Sequence, residues 1–187
     1  MCGQHDETVA HLVAGCKVLA NGQYKERHNE VAKIVHWSLY RKYNIATVDQ
    51  WWKHAPEAVT ETEQVKILWD FSIRTDNYKY IQANKPNIVV VDKREKTSRI
   101  IDIACPLDAN IQEKEKEKSV KYQDLRWELE QLWKVKTRVV PVVVGALGAV
   151  TKKHQGHVRS IMEEISTDDL QKATLLGTAR LLRKILH

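Results

Sequence analysis

Apolar and polar positions alternate along this chain in a few regular patterns. Between Tyr24 and Tyr43, Val31, Ile34, Val35 and Leu39 recur at helical spacing and predict an amphipathic helix. Residues 44–65 show no clear period and read as a loop with one short helical turn. Trp51 and Trp52 in this loop are expected to cover the core, base stacking being the alternative. In residues 66–75, Ile67, Trp69, Phe71 and Ile73 alternate with Asp70, Ser72 and Arg74, which predicts a half-buried strand. The polar stretch 76–85 then reads as a loop over a site.

Two runs rich in Val and Ile follow, Ile88–Asp92 and Arg99–Ala104. They alternate little, so strands covered on both faces are expected. The charged residues 93–98 suit a hairpin turn, and Pro86 suits the start of a strand. Glu113–Lys134 is the strongest helical segment, with Tyr122, Leu125, Leu129 and Leu132 as its apolar positions. Lys118 falls on its packed face and Lys121 on the border. Val139–Val144 reads as a further strand, closed by Gly145 and Gly148. Val158, Ile161, Met162 and Ile165 mark one last helix, and Leu175, Ala179, Leu182 and Leu186 another. Ser166 and Asp169 have capping-box spacing before the second. The order is helix, strand, strand, strand, helix, strand, then a helical tail: an α/β fold with a mixed central sheet flanked by helices.

Composition narrows the setting. At 187 residues the chain can bury one core but not two large ones. No apolar run approaches the roughly 20 residues that cross a bilayer, so no membrane partner is expected. The net charge of +6 favours polyanionic partners, nucleic acid first among them. Three cysteines give no disulfide framework and point to an intracellular, reducing setting. Near the N-terminus, Cys2, His11 and Cys16 stand as C-x8-H-x4-C, three of the four ligands a tetrahedral zinc site uses; His5 or His28 could be the fourth.

The candidate chemistry lies between Lys85 and Tyr122. Hydrolysis of a phosphodiester is served by Mg²⁺ held on carboxylates beside a lysine. Asp102 on one strand of the hairpin, position 87 on the other, and Lys118 or Lys121 on the next helix would supply these parts. Asn87 stands where such a site wants an aspartate: its amide oxygen can ligate a metal but brings no charge. Glu30, on the first helix, could reach the same site.

The pattern Lys85-Pro86-Asn87, then Asp102, then a helical lysine resembles the PD-(D/E)XK nuclease signature, with the lysine moved onto the helix. Together with Arg27-His28-Asn29, His36-Trp37, Ile67-Leu68-Trp69-Asp70-Phe71, Ile101 to Pro106 and Lys116 to Tyr122, it is similar to one group. These are the restriction-like endonucleases at the C-terminus of site-specific non-LTR retrotransposon polyproteins. Cys2–Cys16 resembles the CCHC zinc knuckle that precedes them, short of its first cysteine, as expected of a piece cut just after it. The resemblance implies a restriction-endonuclease-like core over 24–187 behind a truncated knuckle in 1–23. It implies a nuclear endonuclease that uses Mg²⁺ or Mn²⁺ to nick DNA and prime reverse transcription. The upstream reverse transcriptase and the element RNA would be partners. By position, Asn87, Asp102 and the Ile103 carbonyl would ligate the metal. Lys118 or Lys121 would be the catalytic lysine, Lys121-Tyr122 matching the family's Lys-Tyr pair, and Asp76 is a further candidate. With Asn87 in place, the same scaffold could instead bind nucleic acid without cutting it.

Overall fold

In the computed structural model, residues 8–74 and 81–186 are described. The core is one five-stranded mixed sheet in the order β1 (Val59–Glu61), β2 (Val65–Trp69), β3 (Ile88–Asp92), β4 (Thr97–Ala104) and β5 (Lys136–Val143). Neighbours are antiparallel from β1 to β4, while β4 and β5 run parallel. A parallel pair needs a crossover, and α3 (Ile111–Lys121) with α4 (Gln123–Trp133) provides it. The remaining helices are the short α1 (Lys17–Leu19), α2 (Lys25–Lys42), α5 (His154–Ile161) and α6 (Thr167–Leu186). The protein is thus α/β, with helices over both faces of the sheet.

The period-2 geometry of the strands divides the core in two. Ile88 and Val90 of β3, with Ile101 and Ile103 of β4, face α2, α5 and α6. Val89, Val91 and Ile100 face Leu125 and Leu129 of α4. Both faces of the hairpin are covered, which is why its residues are apolar almost without interruption. Asn87 and Asp102 continue the second set. The β3–β4 register pairs Ile88 with Ile101, so one step further Asn87 stands opposite Asp102 at the end of the ladder. Pro141 is tolerated in β5 because that strand is the sheet's edge.

Several elements differ from the sequence expectation. The half-buried strand at 66–75 ends at Trp69, where Asp70 adopts φ 45° and turns the chain away. Its Leu68 is buried on the face expected to be polar, and Phe71 is exposed. A short edge strand, β1, lies in the region read as loop; only its pairing with β2 makes it a strand. Trp51 packs on the core as expected, whereas Trp52 is exposed. The long helix at 113–134 is broken at Tyr122, whose φ −107°, ψ 22° caps one segment and opens the next. Leu132 is exposed beyond that break.

The buried face of α6 is also not the expected one. Leu170, Ala173, Thr174, Thr178 and Leu181 are buried, while Leu175 is exposed. The reason is Arg27. It is fully buried on α2 and donates to the Val13 carbonyl at 2.9 Å, Thr178 Oγ1 at 2.8 Å and the Cys105 carbonyl at 3.1 Å. Gly177 lies against its aliphatic stem, where a side chain would collide with Arg27 Cγ and Cβ. Satisfying a buried guanidinium outweighs burying one more leucine. The stripe Val158, Ile161 and Ile165 is buried as expected, and Ser166 Oγ accepts the Asp169 N–H as the cap at 3.4 Å.

Candidate functional site

The site grows from the end of the β3–β4 ladder. Asp102 on β4 is buried among hydrophobic neighbours, its side chain only 3% exposed. A carboxylate is kept there because α3 delivers ammonium groups to it. Lys118 Nζ lies 2.7 Å and Lys121 Nζ 3.9 Å from Asp102 Oδ2. Three residues apart on one helix, both lysines reach the same oxygen. Lys118 is mostly buried and Lys121 more open, 14% against 40%, which matches their expected places on and beside the packed face. The Lys118 approach is a charge contact and not an aligned hydrogen bond: Asp102 Oδ2 has no hydrogen-bond partner.

Tyr122 closes the wall next to Asp102. Its hydroxyl donates to the Lys85 carbonyl at 3.2 Å, which ties the helix break to the segment entering β3. Burial, then the Asp102 charge, pushes this phenol well above its usual range, so it stays protonated. Lys121 also sits over the Tyr122 ring, 4.7 Å from its centroid.

Opposite Asp102, Asn87 turns its amide oxygen inward. Oδ1 accepts the Ile103 N–H at 2.7 Å and lies 3.3 Å from His28 Nε2. The backbone donor fixes which end of the amide is the oxygen, so His28 Nε2 is a donor when it bonds there. His28 Nδ1 lies 3.1 Å from Asn29 Oδ1.

A cavity of about 360 Å³ gathers these groups: Asn87, Asp102, Ile103, Lys118, Lys121 and Tyr122 all line it. Of the eight residues expected to build the nuclease site, counting Glu30 and Asp76, six therefore meet in one place. Glu30 does not join them. It lines a separate groove with Trp51, Trp52 and Arg180, and pairs with Lys33 at 3.1 Å. Asp76 lies outside the described residues.

Three further wall residues, to which the sequence reading assigned no catalytic or magnesium role, carry polar side chains: His28, Lys85 and Lys114. His28 stands in the Arg27-His28-Asn29 motif and Lys85 opens Lys85-Pro86-Asn87, but neither motif by itself assigns these side chains a role beside Asp102. Lys114 lies one helical turn before Lys118, a spacing that could have revealed it. Cys105 also lines the cavity; burial pushes its thiol up to about 11, so it is no thiolate at neutral pH.

The charge balance decides what this cavity accepts. Among its described lining residues Asp102 is the sole carboxylate, against Lys85, Lys114, Lys118 and Lys121. A divalent cation wants several anionic or carbonyl oxygens without competing ammonium groups. Here the second oxygen, on Asn87, is uncharged and already taken by the Ile103 amide. With Asn87 in place, the cavity offers a resident Mg²⁺ or Mn²⁺ one carboxylate amid four ammonium groups, a poor fit for either ion.

For the expected zinc ligands, Cys2 and His5 lie outside the described residues. Cys16 is buried with Leu19 and Leu181, and its backbone N–H donates to the Tyr24 hydroxyl at 3.0 Å. His11 lies in a helical turn five residues earlier. Among the described residues no three His, Cys, Asp or Glu side chains gather as a metal site. Nor is any helix among them long and apolar enough to cross a membrane. No family model matches this chain, and no curated protein matches it.

Proposed function

We propose that this chain is a nucleic-acid-binding module on a nuclease-like scaffold, its hydrolytic site disabled at one position, Asn87. The observation that carries the reading is the single buried carboxylate, Asp102, set among lysines in an open cavity. Lysines of this kind neutralise phosphate charge without reading sequence. The net charge of +6 draws polyanions to the protein at long range. The resemblance to retrotransposon endonucleases supplies the setting: DNA as the bound polymer, with the element's reverse transcriptase and RNA as its partners. The zinc site at Cys2, His11 and Cys16 belongs to the same setting.

The second reading is an endonuclease with residual activity, and the placing of Asp102 beside Lys118 and opposite Asn87 favours it. An aspartate at position 87 would put a second charge opposite Asp102 and give a divalent ion two anionic oxygens. That ion would then polarise the phosphate and activate water.

One experiment separates the readings. Supercoiled plasmid is incubated with Mg²⁺ or Mn²⁺ and either this chain or Asn87→Asp. The expected result is no nicking by the chain as it stands, and nicking by Asn87→Asp that Asp102→Ala abolishes. Nicking by the unaltered chain would establish the endonuclease reading instead. Binding to DNA by both proteins with nicking by neither would leave a binding module unrelated to hydrolysis.

A further inference from the structure

The Asp102 cavity does not end at its own walls. Towards α2 it adjoins a cavity of about 440 Å³ lined by Lys25, Trp69 and Asp70, sharing His28 and Asn87 with it. On the other side lies one of about 600 Å³, lined by Gln82, Asn84 and Asp124 and sharing Lys121 and Tyr122. Lys85 lines all three. The three form a run of adjoining hollows, with one lysine at the crossing.

The backbone at this crossing is fixed while the side chain is not. The Lys85 carbonyl holds the Tyr122 hydroxyl, Pro86 is buried, and the Asn87 carbonyl accepts the Asp70 N–H at 2.8 Å. The Lys85 side chain is half exposed, and its Nζ rests on Asp70 Oδ2 at 3.0 Å. Asp70 is half exposed as well, and it holds a left-handed φ of 45° immediately after β2. Aspartate tolerates that conformation better than most residues, but it still costs energy, and such strain collects where a side chain must be aimed. An ion pair this open holds its partners weakly.

We propose that Lys85 is a phosphate ligand for a polynucleotide strand lying along these hollows, and that Asp70 holds it in reserve. Binding exchanges the Asp70 carboxylate for a backbone phosphate, one position along the strand from the phosphate at Lys118 and Lys121. The proposal rests on the nucleic-acid-binding reading, and it adds the path of the strand and the cost of opening it.

The test is a double-mutant cycle read by fluorescence anisotropy, using a short labelled DNA single strand and its duplex over a salt series. Lys85→Ala should weaken binding about 3- to 10-fold and reduce the slope of log K against log salt by about one. Asp70→Asn keeps a residue suited to the left-handed turn and should tighten binding a few-fold. In the Lys85→Ala background Asp70→Asn should do nothing, because there is no lysine left to release. An equal gain in both backgrounds would show simple charge repulsion and overturn the exchange. Unchanged affinity and salt slope for Lys85→Ala, with the parent chain binding normally, would remove Lys85 alone. No binding by the parent chain would overturn this inference together with the reading beneath it.

Discussion

Asn87 and Asp102 are cross-strand neighbours at the end of one ladder, and they differ in what a buried site most depends on: charge. Asp102 is held by two ammonium groups, whereas Asn87 is held by one backbone N–H and an imidazole. An amide in this place satisfies its neighbours without adding the charge that would hold a cation, so the fold tolerates the residue. Arg27 shows the same logic away from the site. Its three carbonyl and hydroxyl acceptors come from the N-terminal turns, the end of β4 and α6. Arg27→Ala would remove the donor shared by the Val13 and Cys105 carbonyls, leave Thr178 only its bond to the Ala146 carbonyl, and open a cavity in the core. The expected cost is about 3 kcal/mol, which lowers the melting temperature by roughly 6–12 °C in a chain of this size. Thermal circular dichroism measures it; a shift under roughly 2 °C would mean that water replaces the guanidinium.

At the level of single elements, the break between α3 and α4 does most to shape the cavity. If the helix ran straight through Tyr122, the lysines and the phenol would be carried on one rigid rod. The break instead lets α3 aim Lys118 and Lys121 at Asp102 while α4 packs Leu125 and Leu129 on the sheet. The far end of α4 carries a separate signature. Lys134 follows its last turn at φ 52°, ψ 44°, the place usually taken by glycine. Lys134→Gly should therefore stabilise the protein by up to about 1 kcal/mol. Urea unfolding would show a higher midpoint with unchanged slope. A lower midpoint would mean that the lysine stem contributes packing worth more than the backbone strain.

Across the whole molecule, the two faces of the sheet have different duties. The α4 face carries the cavity at its edge, while the α2 face also encloses a buried pair of histidines. His36 Nδ1 and His54 Nε2 lie 2.7 Å apart under Tyr40 and Trp69. Burial, then His54, pushes His36 down to about 3. Burial, then Lys33, lowers His54 as well. Both folded values lie below the unfolded one near 6.5, so this stability is complete above pH 6.5 and is lost as pH falls towards 3. Each group contributes at most about 1.4 kcal/mol per pH unit. Urea midpoints at pH 7.5 and pH 5 should differ clearly in the parent chain and by less in His36→Leu. Equal differences in the two proteins would place the acid sensitivity elsewhere.

The sequence by itself determined the order of helices and strands apart from β1 and the break between α3 and α4, the two-sided burial of the hairpin, and the placement of Lys118 inside and Lys121 beside the packed face. These follow from spacings of two, three and four residues, which local backbone geometry converts directly into faces. It also marked Asn87 as the one departure from the aspartate that a metal-binding site would want at that position. Only the tertiary structure decided that Glu30 stands apart from Asp102, that α6 turns its threonines and Gly177 inward, and that β1 is a strand at all. The last two depend on partners distant along the chain, Arg27 for α6 and β2 for β1, and the first on how α2 is set against the sheet. The same holds for Lys85 and Asp70, fifteen residues apart, which meet because β2 ends where β3 is entered. Periodicity records which face a residue occupies. Which groups share a cavity is settled by how the faces pack.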